Sequence, residues 1–288
     1  MALYPYNGKL DLPETPVVID WKGKIGYGDI VSPISYAHNI AEKNSCDVHL
    51  NFHWKQAKPT KFKSDDPETI QDWIEAINNE ITPAKFFDVK VNHVYDNELD
   101  FNHTNYCDDG IFHNMRFAKH GLSDYNYSKK HNKTIAFVTT LENKVHFKDY
   151  DRSKLWKDPL GDTPDGNAWR RVGDLFRKRG YNIVYLHYNT DIETCIDVFK
   201  RCAGVVGYHG SLMWLARMYG CPMVIFSKGN LTKRAFPWAI TFKYWYDYEI
   251  KNTGIYFEQS IQKRNELLDE YNYYLTFPNL HRLRGERT

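Results

Sequence analysis

The sequence has few cysteines and no pattern that would give them a shared role. Five cysteines occur in 288 residues, their number is odd, and none belongs to a Cys-x-x-Cys pair. Disulfide frameworks and zinc sites use paired or closely spaced cysteines, so the sequence indicates neither of them. We expect reduced cysteines in the core of a cytoplasmic protein.

Long apolar runs and an excess of one charge are also missing. The amino terminus lacks the basic-then-apolar order of a signal peptide, and no apolar run reaches the length that crosses a bilayer. Lys and Arg number 38 against 36 Asp and Glu, a net charge of +2. This balance permits an anionic partner without requiring one. The length is enough for two domains of ordinary size.

The common nucleotide-binding fingerprints are absent as well. Gly23, Gly26 and Gly28 follow the order Gly-x-x-Gly-x-Gly instead of Gly-x-Gly-x-x-Gly, and no Gly-x-x-x-x-Gly-Lys-Ser/Thr loop occurs. Nicotinamide and ATP chemistry are therefore disfavoured. The glycine loop delivers Asp29 to the start of a predicted helix. There the carboxylate either caps the helix or faces a cleft, and the two roles can coexist.

The sequence does have a regular alternation of strands and helices. This order predicts an α/β fold with parallel, doubly wound sheets. A domain boundary is expected just before Thr134, which divides the chain into residues 1–130 and 131–288. The predicted strands are Val17–Ile19, Asp47–Trp54, Phe86–Val94, Thr134–Thr140, Asn182–His187, Gly204–Tyr208 and Met223–Phe226. The main predicted helices are Ile30–Glu42, 65–81, Ala168–Arg179, Asp191–Cys202, Leu212–Tyr219 and Glu258–Leu275.

The turn His209-Gly210-Ser211 lies between a predicted buried strand and a helix. Gly210 lets a ligand approach the backbone closely, and Ser211 is predicted to be the N-cap. A helix that starts at the carboxyl end of a strand presents free N–H groups and a partial positive charge, which suit a diphosphate. An ordinary βαβ unit with a capped helix explains the same pattern.

Two further segments carry candidate ligand-binding side chains. The basic loop that follows strand Asp47–Trp54 either grips acceptor phosphates or is simply solvated; its candidate residues are Lys55, Lys58 and Lys61. Residues 96–130 contain several histidines and aspartates, but no metal-ligand spacing repeats there, and we interpret them as a solvated loop.

Three segments resemble the lipopolysaccharide heptosyltransferase family of GT-B glycosyltransferases. They are Gly28-Asp29-Ile30-Val31-Ser32-Pro33, Asp151-Arg152-Ser153-Lys154-Leu155-Trp156, and Gly210-Ser211-Leu212-Met213-Trp214-Leu215-Ala216 running to Gly220-Cys221-Pro222. They are similar to that family's amino-terminal loop, its basic donor loop and its phosphate-binding turn, respectively. The chain departs from the family in having His209 before the turn and Trp214 in the first turn of the helix, where the family has an acidic residue and a histidine.

The resemblance implies two Rossmann-like domains that face each other across a cleft. Residues 1–130 would bind the acceptor, and residues 131–288, with the carboxy-terminal helix, would bind a nucleotide-diphosphate sugar such as a UDP-sugar. Asp29 would be the base of an inverting transfer that needs no metal or other cofactor. Acceptor contacts would come from Gly28 and the lysine loop. Donor contacts would come from Arg152, Lys154, His209, Gly210, Ser211 and Leu212.

The acceptor and the class of protein are left open by the residues. The abundance of Asn, Tyr and Lys resembles phage glycosyltransferases that modify hydroxymethylated bases in DNA, and we expect a DNA acceptor ahead of a lipopolysaccharide or other glycan. Asp149-Tyr150-Asp151 also fits the metal-binding Asp-x-Asp of GT-A enzymes. A non-catalytic module that binds nucleotide sugars or nucleic acid is the remaining alternative.

Overall fold

The described part of the chain alternates strands and helices, as the sequence predicts. This computed structural model describes residues 16–22, 25–44, 46–54, 67–81, 88–95, 133–138, 173–187, 190–208, 210–226, 235–242 and 247–276. Its strands are β1 (Val17–Trp21), β2 (Val48–Trp54), β3 (Val89–Tyr95), β4 (Thr134–Val138), β5 (Asn182–Leu186), β6 (Gly204–Tyr208), β7 (Met223–Phe226) and β8 (Ile240–Phe242). Its helices are α1 (Val31–Asn44), α2 (Pro67–Glu80), α3 (described over 173–178), α4 (Ile192–Arg201), α5 (Ser211–Met218) and α6 (Thr253–Thr276).

The first half forms a three-stranded parallel sheet in the order β1-β2-β3. Alternate residues of β2 are buried, because side chains of a strand point to opposite faces of the sheet. The buried face packs on α1 and α2 through Ile34, Trp73 and Ile77 among others. The opposite face carries mainly polar side chains, together with the exposed Val18 and Val94. Because buried and partly exposed residues alternate along β2, the described helices cover the first sheet on one side only.

The second half forms a five-stranded parallel sheet in the order β5-β4-β6-β7-β8. It is covered on both faces. One face, with Ala136 and Val205, belongs to the same core as α4 and α5. The other, with Phe137 and Val206, packs on Phe257 of α6 and on α3. The predicted parallel and doubly wound arrangement is therefore confirmed for this sheet.

Most predicted boundaries differ from the observed ones by a few residues at most. Strands β6 and β7 have the predicted limits, and Gly180 ends α3 with a φ of 80°, as a glycine C-cap does. The last helix was predicted to begin at Glu258, but α6 begins at Thr253. The buried Thr253 hydroxyl donates to the carbonyl of Ile250 at 2.7 Å, so the helix continues directly from a short 3₁₀ turn.

The two halves share one hydrophobic core. Its members come from both sheets and from α1, α2, α4 and α5. At its edge, Glu80 at the end of α2 accepts hydrogen bonds from Lys200 Nζ at 3.0 Å and from the Tyr219 hydroxyl at 2.8 Å. The division into two domains at residue 130 stays a prediction, while the halves contact each other through these elements.

Four of the five cysteines lie among the described residues. Cys46, Cys195, Cys202 and Cys221 are free thiols and buried, and burial raises the pKa of Cys195 to about 12. Cys107 lies outside the described residues. Among the helices described above, none has the length and apolar content that crossing a membrane requires.

Candidate functional site

The strand order of the second sheet creates a crevice between β4 and β6. From β4 the chain goes to β5 on one side and then crosses to β6 on the other. Where the winding direction reverses in this way, the loops after the two strands separate, and ligands bind outside the carboxyl ends. A β-carbon on Gly207 would lie 2.4 Å from the carbonyl oxygen of Val138, so the two backbones approach closely at this end.

Helix α5 begins at this crevice. Gly210 is its N-cap with extended backbone angles, and the Met213 N–H donates to the Gly210 carbonyl at 3.0 Å. Ser211, predicted as the N-cap, is instead the first helical residue. The N–H groups of a first helical turn lack intrahelical acceptors, so those of Ser211 and Leu212 are oriented for an anion. The absence of a side chain at Gly210 keeps this approach open.

Residues 26–30 form a turn that leads directly into α1. The Asp29 N–H donates to the Gly26 carbonyl at 2.8 Å, and the Ile30 N–H donates to the same oxygen at 3.2 Å. Asp29 is half-buried, and its Oδ2 would lie 3.1 Å from a β-carbon on Gly26. The carboxylate thus lies over its own turn, just before α1 begins at Val31.

The glycine loop contacts the start of α5 directly. A β-carbon built on Gly28 would lie 3.4 Å from Cα of Ser211 and 3.2 Å from Cδ1 of Trp214. A larger residue at position 28 would push the loop away from the helix, so glycine permits this approach. The contact places Asp29, the next residue, beside the helix terminus that was predicted to bind a diphosphate.

Aromatic packing anchors both sides of this contact. Tyr27, beside Gly28, stacks on Trp73 of α2 with ring centroids 4.0 Å apart and an interplanar angle of 19°. On the other side, the guanidinium carbon of Arg217 lies 5.5 Å from the Trp214 ring and 5.6 Å from the Trp238 ring. Burial lowers the pKa of Arg217 to about 9, which leaves it charged at neutral pH.

The structure brings together five of the predicted site residues and does not describe the others. The residues brought together are Gly28, Asp29, Gly210, Ser211 and Leu212. Those outside the described residues are Lys55, Lys58, Lys61, Arg152, Lys154 and His209, together with the alternative metal motif Asp149-Tyr150-Asp151.

Sequence reasoning missed a row of polar side chains on the open face of the first sheet. The Asn51 amide donates to Asp20 Oδ1 at 3.0 Å, and Asn92 donates to Asn51 at 2.9 Å. His53 Nε2 lies 2.8 Å from the same Asp20 oxygen. These bonds to His53 and Asn51 hold the pKa of Asp20 below its usual value. The alternation of polar residues in β2 could have indicated this polar face. The hydrogen-bond partners of these residues could not be predicted, because they depend on the register between strands.

Metal-ligating side chains do not cluster within the described part of the chain, where no group of three His, Cys, Asp or Glu residues could hold an ion. The histidines and aspartates of residues 96–130 lie outside that part. The site as described therefore consists of a carboxylate, a glycine loop and a helix terminus.

No protein-family model and no curated protein matches the sequence. Among solved structures, the chain is similar to the iron-containing dodecameric glycosyltransferase TibC of enterotoxigenic E. coli, at 14% identity and a TM-score of 0.46, over 92% of this chain and 78% of that chain. TibC in complex with ADP-D-β-D-heptose gives a TM-score of 0.47 at the same identity and coverage. A family 9 glycosyl transferase from Veillonella parvula is 12% identical over 91% of this chain and 99% of that chain, with a TM-score of 0.39.

These neighbours are glycosyltransferases by name, the class of enzyme that the sequence motifs resemble. At such identities and TM-scores, the similarity by itself assigns neither a family nor an activity to this chain. The chemistry that the site can support follows from its own residues. A helix terminus can hold a diphosphate, and a half-buried carboxylate in the loop that contacts this helix can accept a proton.

Proposed function

We propose that this protein is a glycosyltransferase, which moves a sugar from a nucleotide-diphosphate sugar to an acceptor hydroxyl. The observation that carries the proposal is the contact between the Gly28–Asp29 loop and the start of α5 at the crevice between β4 and β6. A base and an anion-binding helix terminus are the two elements that metal-independent sugar transfer needs, and here they come from different halves of the chain.

The donor diphosphate is proposed to bind at the N–H groups of Ser211 and Leu212. Charge develops on the diphosphate as the sugar leaves, and oriented N–H groups stabilise such charge without reorganisation. Arg152, Lys154 and His209 are proposed as further partners of the phosphates, since a cation near the leaving group replaces the metal of other glycosyltransferases.

Asp29 is proposed as the general base. The acceptor hydroxyl gives its proton to the Asp29 carboxylate while its oxygen attacks the anomeric carbon. The bond from that carbon to the diphosphate oxygen breaks, and the electron pair leaves with the nucleotide diphosphate. Attack opposite the leaving group inverts the configuration at the anomeric carbon. The position of Asp29 supports this role, because the loop that carries it contacts the start of α5, where the donor is proposed to bind.

The acceptor is proposed to be a hydroxymethylated base in DNA, with a lipopolysaccharide or other glycan as the alternative. The support is the basic loop, since Lys55, Lys58 and Lys61 would bind phosphates of either acceptor. Salt dependence distinguishes the two, because binding to a duplex releases many counterions while binding to a short glycan with few charges releases few.

Donor binding is the first test. Thermal unfolding is followed with a panel of nucleotide diphosphates and their sugars, including UDP-sugars and ADP-heptose, with and without EDTA. A ligand that binds only the folded state raises the melting temperature. A rise with one nucleotide sugar that persists in EDTA is expected. A rise that disappears with EDTA would favour the metal-binding Asp149-Tyr150-Asp151 instead, and no rise at all would contradict the proposal.

Turnover is then measured with the donor so identified, on hydroxymethylated DNA and on oligosaccharide. Asp29→Asn is expected to retain donor binding and to lower kcat by about 10²–10⁴-fold, the usual contribution of a positioned base. Asp20→Asn, which changes another aspartate near the end of β1 but on the open face, is the matched control and should retain activity. Equal activity of wild type and Asp29→Asn would reject the assigned base. Donor binding without transfer or hydrolysis would favour a non-catalytic binding protein.

A further inference from the structure

The side chain of Trp214 stands between helix α5 and the glycine loop. A β-carbon on Gly28 would lie 3.2 Å from Cδ1 of Trp214, and Trp214 is only 8% exposed. The ring is therefore packed against the loop rather than extended into solvent. Because Asp29 directly follows Gly28, the position of this ring limits how closely the loop and its carboxylate can approach α5.

The Trp214 ring is held in place by its other neighbours. The Phe236 ring is 4.9 Å away between centroids, at an interplanar angle of 50°. Arg217, one turn further along α5, has its guanidinium carbon 5.5 Å from the Trp214 ring and donates to the buried Ala235 carbonyl. Because the ring is packed on several sides, it cannot move independently of α5, and the position of α5 therefore limits the position of the loop that the ring contacts.

We propose that Trp214 is a positioning residue, which sets the placement of the Gly28–Asp29 loop against the first turn of α5. Helix α5 would then set both the position of the N–H groups at its start and the distance to the loop that carries the carboxylate. The consequence for sugar transfer rests on the proposed function, whereas the placement of the loop does not. In a transfer reaction, a displacement of the base by about 1 Å costs on the order of 100-fold in rate.

The placement is tested without any substrate by amide hydrogen exchange. The N–H groups of Asp29 and Ile30 both donate to the Gly26 carbonyl, so their exchange reports whether the loop keeps its turn. In Trp214→Leu we expect both amides to exchange at least about tenfold faster, with a smaller increase in Trp214→Phe, which keeps an aromatic ring.

Trp54→Phe is the matched control for the loss of an indole. Trp54 is 5% exposed, and its ring contacts are with His93 and Tyr95 of β3. Its replacement should leave the two reporter amides unchanged after correction for global stability. The proposal is wrong if Trp54→Phe and Trp214→Phe accelerate these amides equally, or if Trp214→Leu leaves them protected.

A size-exchange experiment tests the same contact in the opposite direction. In Gly28→Ala the new methyl group meets Trp214 at a distance tighter than ordinary packing, so the loop should shift and its amides should exchange faster. Combining Gly28→Ala with Trp214→Phe makes room for the methyl group and should restore part of the protection. If the effects of the two substitutions on amide exchange are additive, the two residues do not act through one contact.

If turnover is found, these variants acquire a second readout. Displacing the carboxylate changes its surroundings, so Trp214→Phe should shift the acidic limb of the kcat–pH profile while donor affinity changes less than kcat. If amide exchange changes but the kcat–pH profile does not, Trp214 positions the loop without positioning the base, and its role in placing the base is refuted. If no donor binds, the exchange result still decides the placement, so failure of the proposed function is distinguishable from failure of this inference.

Discussion

Replacement of Glu80 tests the contact between the two halves most directly. Its carboxylate accepts from the Tyr219 hydroxyl at 2.8 Å and from Lys200 Nζ at 3.0 Å. Tyr219 is 1% exposed, whereas the side chains of Lys200 and Glu80 are 30% and 22% exposed. The two bonds therefore contribute differently to the free energy of unfolding, because the hydroxyl is buried and the ammonium is partly solvated.

The expected loss follows from that difference. Removing the acceptor leaves a buried hydroxyl unsatisfied, which costs about 1–3 kcal/mol. The partly exposed ion pair adds only about 0.5 kcal/mol after screening by solvent. Glu80→Ala should thus lower the free energy of unfolding by about 1.5–3.5 kcal/mol. Glu80→Gln keeps an acceptor for Tyr219 and should lose only about 1 kcal/mol.

Urea unfolding of single and double variants measures these quantities. Lys200→Met should cost little, and Glu80→Ala combined with Tyr219→Phe should cost less than the sum, because the second change removes the orphaned hydroxyl. Two results would contradict the assigned role of Glu80. One is an equal loss in Glu80→Ala and Glu80→Gln, and the other is strict additivity of the changes at Glu80 and Tyr219.

Two further predictions concern packing and alkaline stability. Gly204→Ala should lower the free energy of unfolding by about 1–3 kcal/mol, because the new β-carbon would lie 2.5 Å from the Phe257 ring. Gly254→Ala is the control, because the atom nearest to its new β-carbon is the Tyr181 hydroxyl oxygen at 3.7 Å. This control should be neutral or stabilising by about 0.5 kcal/mol. Similar unfolding midpoints for the two alanine variants would contradict the close approach of α6 to β6. Burial and Glu80 raise the pKa of Tyr219 above the ordinary tyrosine value of 10.0, so its contribution to stability is complete below pH 10 and is lost as the unfolded chain ionises above it. Tyr219→Phe should flatten this alkaline decline in urea midpoints measured from pH 8 to 11, and an unchanged slope would contradict it.

Local patterns were enough to predict most elements, and the reasons differ between them. Strands β6 and β7 are short apolar runs bounded by glycine, cysteine and proline, so their limits follow from composition. Gly180 has the positive φ that a glycine after a helix predicts. The N-cap of α5 was predicted one residue late, because a serine is the commoner cap, but Gly210 already has the extended backbone that a cap needs.

The candidate site was only partly accessible to sequence reasoning. Asp29 and the Gly210–Leu212 segment were identified from a glycine loop and a strand–turn–helix pattern, which are local in sequence. The contacts of the Trp214 ring with Phe236 and Arg217, and the partners of Glu80, were not identified. Contacts such as Gly28 with Trp214 join residues far apart in the chain, and nothing in either local pattern indicates the other member.

The parallel α/β class follows from local sequence patterns, because the alternation of apolar strands and amphipathic helices depends on periods of about 2 and 3.6 residues that each segment has on its own. The sequence also indicates the Gly210 turn as a candidate anion site, since such a site needs a glycine and a helix start. The folded structure was needed to establish the strand order β5-β4-β6, and with it the crevice at the carboxyl ends. It alone placed the Gly28–Asp29 loop on α5, because that contact depends on how two separately formed layers bury their remaining apolar surface in one shared core.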